Sequence, residues 1–184
     1  MKIALFGGSF NPPHVCHLMI CYYVLETTDV DKVWLIPCYQ HAFDKELVAF
    51  HHRFNMCSLA VEIFNKRVEV SNVEEEQKGI SWTIDTVRYL KELYPDVECE
   101  WIVGSDVTRE FTSWKDFDLL QKMITFRIIP RNGYLGDIKE GGPGIFFPNI
   151  SSTLIRNRIK KGLSISHLVP KSVEKYIREH RLYL

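Results

Sequence analysis

Residues 7–17 read Gly7-Gly8-Ser9-Phe10-Asn11-Pro12-Pro13-His14-Val15-Cys16-His17, between a short apolar run, Ile3-Ala4-Leu5-Phe6, and a longer one from Leu18 to Leu25. That order predicts a strand, a glycine turn and a helix. Gly7 and Gly8 let the backbone come close to an anion, and the amides that open a helix face the same point. His14 and His17 lie three residues apart, so at a helix start they point the same way. Amides and two imidazoles aimed at one spot describe a phosphate site. Many α/β turns carry a glycine pair, and this one is neither a Walker A loop nor the dinucleotide fingerprint. The two histidines set it apart.

The same alternation extends along the chain. Apolar runs predict strands at 3–6, 33–37, 68–71, 100–104, 126–130 and 145–147. Helical spacing predicts helices at about 15–26, 51–66, 83–94, 151–161 and 171–181, with a shorter one inside 107–122. The last helix is expected to turn Val173, Tyr176, Ile177 and His180 inward. Residues 38–50 and the polar run 74–79 read as loops, and the glycine-rich stretch 131–144 as a surface loop. Strands alternating with helices predict an α/β fold, a Rossmann-like parallel sheet with helices on both faces and a small C-terminal helical portion. A single nucleotide-site domain is expected over 1–184. Ligands of such sheets bind beyond the C-terminal ends of the strands. The turns at 7–17, 104–106 and 149–153 fall at such ends, so they are expected to meet in one cleft.

Composition narrows the classes. Formal net charge is zero, which gives no global attraction to nucleic acid or membrane. Lys and Arg outnumber Glu in residues 151–184, a pattern that a solvated helix face also produces. The five cysteines show no Cys-x-x-Cys spacing, so they read as reduced core thiols of a cytoplasmic protein rather than a disulfide framework or zinc site. A strand starting at residue 3 leaves no room for a signal peptide. Leu18–Leu25 is too short to span a bilayer.

A second anion site is legible near the C-terminus. Ile150-Ser151-Ser152-Thr153-Leu154-Ile155-Arg156 places consecutive hydroxyls at a helix start with Arg156 one turn in. An ordinary N-cap gives the same residues. Set across a sheet from the first turn, they become the other half of a triphosphate clamp.

The two stretches together resemble a known pattern. Residues 7–17 resemble the first motif of the nucleotidyltransferase superfamily with a His-x-Gly-His signature, and Ile150–Arg156 its Ile-Ser-Ser-Thr-x-x-Arg motif. Ser81-Trp82-Thr83-Ile84-Asp85-Thr86, Trp101-Ile102-Val103-Gly104-Ser105-Asp106 and Trp114 are similar to segments of bacterial nicotinate-nucleotide adenylyltransferases. The ending from Leu168-Val169-Pro170 to Leu182-Tyr183 fits as well. Two positions depart. Cys16 stands where the family has glycine. Tyr39–Lys45 keeps a histidine, His41, but lacks the basic residue after it, leaving Lys45 to supply the charge, with Arg53 behind it.

The resemblance implies transfer of AMP from ATP to a pyridine mononucleotide, giving a dinucleotide and pyrophosphate in NAD biosynthesis. It implies His14, His17 and Arg156 as catalytic residues. Gly7, Gly8, Ser9, Phe10, Gly104, Asp106, Ser152 and Thr153 would bind ATP, Ser9 and Phe10 through their amides and Asp106 at a ribose hydroxyl. Lys45, Thr83 and Trp114 would bind the mononucleotide. Mg2+ would travel with ATP and take few protein ligands. Side-chain identity leaves open nicotinate against nicotinamide mononucleotide, and also the oligomeric state. A pantetheine-phosphate adenylyltransferase-like enzyme and a non-catalytic nucleotide-binding homologue remain alternatives at this point.

Overall fold

The computed structural model describes residues 1–42, 46–130 and 147–184. Five parallel strands form the central sheet: β1 (Lys2–Gly8), β2 (Lys32–Pro37), β4 (Val68–Val70), β6 (Glu98–Gly104) and β7 (Thr125–Ile129), in the order β4-β2-β1-β6-β7. β3 (Gln40–His41) and β5 (Ile80–Ser81) pair separately, also in parallel. The helices are α1 (Val15–Thr27), α2 (Phe50–Val61), α3 (Val73–Gln77), α4 (Thr83–Leu93), α5 (Phe117–Met123), α6 (Ser152–Lys160) and α7 (Lys171–Glu179), with a 3-10 turn at Thr108–Ser113.

The period of two in β1 sorts the core into two layers. Ala4 and Phe6 join Val33, Leu35 and Ile102 against residues of α1, α2, α6 and α7. Ile3 and Leu5 join Ile36, Trp101 and Val103 against α3, α4 and α5. Helices therefore cover both faces, as the alternation of elements predicts. The chain steps outward from β1 through β2 to β4 on one side, and through β6 to β7 on the other. That reversal leaves a crevice above the C-terminal ends of β1 and β6.

Several local expectations change. Residues 74–79 do not form a plain loop: α3 spans most of them, and Glu74 is buried within it. α7 buries Val173 and Ile177, while His180 lies just past its end and is exposed, stacked on Tyr176 at 3.9 Å. The expected loop at 131–144 and residues 145 and 146 of the expected last strand lie outside the described residues. All five cysteines are free, and four are buried. Among the described residues no helix is long and apolar enough to cross a membrane.

Candidate active site

The crevice holds a cavity of about 330 Å³. Gly7 and Gly8, expected in a turn, are instead the last two paired residues of β1 and line it from there. Ser9 lines it from the turn that follows, His14 and His17 from the start of α1, and Gly104 and Asp106 from the end of β6. Thr83 and Trp114 line it as well. Motifs separated by more than a hundred residues in the chain thus line one cavity.

His14 is the N-cap residue of α1 and only 4% exposed. Its ring stacks on that of His17 at 3.6 Å, with 21° between planes. The His14 backbone N–H donates to Nδ1 of His17 at 3.1 Å. An amide donor there requires a lone pair on Nδ1, so the ring proton sits on Nε2. Phe10 and Phe6 meet the His17 ring edge-on at 4.9 and 5.8 Å. Phe10 does not itself line the cavity. Its backbone is left-handed, with φ at 44°, a conformation costing about 1–3 kcal/mol for such a side chain. It is held by the packing of its ring, 2% exposed, behind His17.

The second motif meets the same turn from the other side. Ser151 caps α6 by accepting from the Leu154 N–H at 3.1 Å. The Ser152 hydroxyl donates to the Pro12 carbonyl at 2.8 Å, and Arg156 Nη1 to the Asn11 carbonyl at 2.9 Å. Arg156 Nη2 donates to the Thr153 hydroxyl at 3.1 Å. Ser152, Thr153 and Arg156 thus stand beside the cavity, joined to it through residues 11 and 12, rather than on its wall.

At the other end, Thr83 begins α4, whose first amides lack intrahelical partners as in any helix. Trp114 is braced by Phe111, Phe126 and Phe117 at 5.3, 6.1 and 6.4 Å. Trp82 completes an aromatic wall.

The Cytidylyltransferase-like family model matches residues 5–158. A Myxococcus xanthus (strain DK1622) protein named "Probable nicotinate-nucleotide adenylyltransferase" is 40% identical over 183 residues, covering 100% of this chain and 95% of the relative. A Bacillus pumilus (strain SAFR-032) protein of the same name is 38% identical, covering 99% and 98%.

The chain belongs to the nicotinate-nucleotide adenylyltransferase family. Its fold is that of the Plasmodium falciparum nicotinic acid mononucleotide adenylyltransferase complexed with NaAD, at TM-score 0.83 and 24% identity over 99% of this chain and 97% of that one.

Against the family pattern, several residues take on parts that the sequence did not disclose. Gly7 serves packing: a Cβ there would fall 2.4 Å from Cζ2 of Trp101, whose indole lies over it. Cys16, the departure from the family's glycine, is 1% exposed and belongs to the core layer of Phe6 and Phe10 while bordering the cavity. The thiol therefore faces mostly inward. Arg53, 1% exposed, is not a substrate cation. Its guanidinium donates to the carbonyls of Val48, Ser9 and Tyr39 at 2.9, 3.1 and 3.2 Å, tying three loops together. Lys45 lies outside the described residues.

Glu74 and Lys115 also border the cavity. Glu74, 7% exposed, accepts from the Tyr39 N–H at 3.1 Å and the Thr86 hydroxyl at 3.0 Å. Burial pushes its carboxyl up, against the pull of Ser81, Thr86, the Tyr39 amide and Arg53. Lys115 pairs with Asp85 at 2.7 Å. A run of three glutamates reads as solvent-facing, so the burial of Glu74 has no sequence signal. Lys115 had one: it directly follows Trp114.

Proposed function

We propose that this chain transfers AMP from ATP to nicotinate mononucleotide, giving the dinucleotide and pyrophosphate. The observation that carries this reading is the joining of the stacked His14–His17 pair and the α6 start through one turn, at a cavity that Thr83 and Trp114 also line. One part suits a triphosphate and the other a planar ring bearing a polar group.

In the reaction a phosphate oxygen of the mononucleotide attacks the α-phosphorus of ATP. A new P–O bond forms as the bond to the β-phosphate oxygen breaks, and pyrophosphate leaves with that electron pair. The nucleophile is already an anion, so no general base is required. The protein's task is positioning and charge stabilisation. His17, with its proton on Nε2, donates to an α-phosphate oxygen, and His14 stands against it. The amide of Ser9 lines the phosphate path, and Phe10 braces the His17 ring from behind. Ser152, Thr153 and Arg156 hold the β- and γ-phosphates; a guanidinium has five N–H donors, and Asn11 and Thr153 take two. Asp106, beyond Gly104, accepts from a ribose hydroxyl. Thr83 offers helix-start amides to the substituent on the pyridine ring, and Trp114 stacks on the ring.

Among the described residues no group of three or more His, Cys, Asp or Glu side chains could hold a metal ion. The divalent cation arrives with the substrate, as Mg2+ bound to the phosphates of ATP.

The test is pyrophosphate release from ATP and Mg2+ with nicotinate mononucleotide, nicotinamide mononucleotide or pantetheine phosphate as acceptor. Turnover with nicotinate mononucleotide is expected. Turnover with pantetheine phosphate alone, or with no acceptor, would replace this reading.

A further inference from the structure

We propose that Lys115 makes this site prefer a mononucleotide whose ring carries a carboxylate over one whose ring carries a carboxamide. The inference rests on the assignment of Thr83 and Trp114 to the pyridine ring.

The two substituents have nearly the same size and planarity and differ in charge and in the amide's N–H donors. Helix-start amides donate to a carbonyl of either, so they discriminate only in part. A fixed cation discriminates by charge. Lys115 is the one Lys or Arg that lines the cavity among the described residues. The other charged groups on the wall, Glu74, Asp106 and Glu110, are acidic. Without Lys115 they would repel an incoming carboxylate.

Its position is set by neighbours on both sides. Trp114, the preceding residue, is braced within the aromatic cluster. Lys115 Nζ lies 2.7 Å from Asp85 Oδ2, and Asp85 sits in the first turn of α4, two residues after Thr83. The ion pair therefore anchors the ammonium near the helix start, where the dipole also favours an anion. Asp85 does not cancel the charge, because Arg88 shares it: Arg88 Nη1 is 3.4 Å from Asp85 Oδ1. An ammonium has three donors, and Asp85 takes one. The Lys115 side chain is 41% exposed, so solvent screening holds the effect to about tenfold.

The experiment measures dissociation constants of nicotinate and nicotinamide mononucleotide by titration calorimetry, and turnover of each with ATP, for the parent, Lys115→Gln and Lys115→Arg. The expected result is a parent that binds the acid more tightly. The acid-over-amide ratio falls about tenfold in Lys115→Gln, stays within about twofold in Lys115→Arg, and shrinks as salt is raised. A ratio unchanged in Lys115→Gln overturns the inference. So does loss of both ligands by the same factor, or a parent that prefers the amide. A parent that turns over neither mononucleotide defeats the functional reading itself; turnover with a ratio indifferent to residue 115 defeats this inference alone.

Discussion

The Tyr183 hydroxyl donates to the Asn11 side-chain oxygen at 2.8 Å, linking positions 172 residues apart in the chain. Asn11 Oδ1 also accepts from the Val48 N–H at 3.4 Å, and its carbonyl takes Arg156. The turn between Gly8 and His14 is thus held from α6, from the segment before α2 and from the C-terminal end. Burial pushes the Tyr183 phenol up, so it remains a donor at working pH. Tyr183→Phe is expected to lose about 1 kcal/mol of stability and to raise KM for ATP about two- to fivefold. Thermal melts and steady-state kinetics check both numbers, and an unchanged KM would show that the turn is held without Tyr183.

Gly7 and Trp101 make a paired prediction. Gly7→Ala drives a methyl into the indole and is expected to cost about 1–3 kcal/mol in denaturant unfolding. Trp101→Leu opens the space, so the double variant should be more stable than the two separate losses predict, by about 1 kcal/mol. Simple additivity would mean that the backbone shifts instead.

Cys16 separates packing from chemistry. It replaces the family's glycine, yet it is buried in the layer with Phe6 and Phe10. Cys16→Gly is expected to destabilise by about 1–3 kcal/mol through helix propensity and lost burial. KM for ATP should stay within about twofold. A large change in KM with an unchanged melt would place the thiol in the nucleotide path.

Glu74 carries the pH dependence. Its folded value lies above the ordinary 4.5 because burial disfavours the charged form. A group raised on folding contributes its full stability below the unfolded value, and that contribution is lost as pH rises through the folded value. The unfolding free energy of Glu74→Gln minus that of the parent should therefore grow from pH 4 to pH 7. A flat difference would mean that the four partners of Glu74 cancel its burial.

Much of this was readable from spacing. α4, whose apolar residues recur at helical spacing, and α1, β2 and β6, which are unbroken apolar runs, fall within a few residues of expectation. The two helix starts at His14 and Ser152 were legible because a histidine pair three residues apart and a run of hydroxyls mark them in the sequence. Other features depend on distant neighbours. β3 and β5 are two-residue strands that exist only by pairing with each other. α3 is too short to show a period and hides Glu74 in a charged run. The clasp made by Arg53 needs three carbonyls from separate loops, and no local pattern announces it. Gly7 looked like a concession to an anion, but the indole of Trp101, 94 positions later, requires it.

On the proposed mechanism the His14–His17 pair stabilises charge on the α-phosphate while AMP moves to nicotinate mononucleotide. The most direct measurement is the rate of dinucleotide and pyrophosphate formation by the parent and His17→Ala, at equal folded concentration verified by melting. Equal amounts of the two products are expected from the parent, and a rate about 10²–10³ lower in His17→Ala with little change in the melt. Equal rates in the two proteins, or pyrophosphate released without dinucleotide, would contradict it.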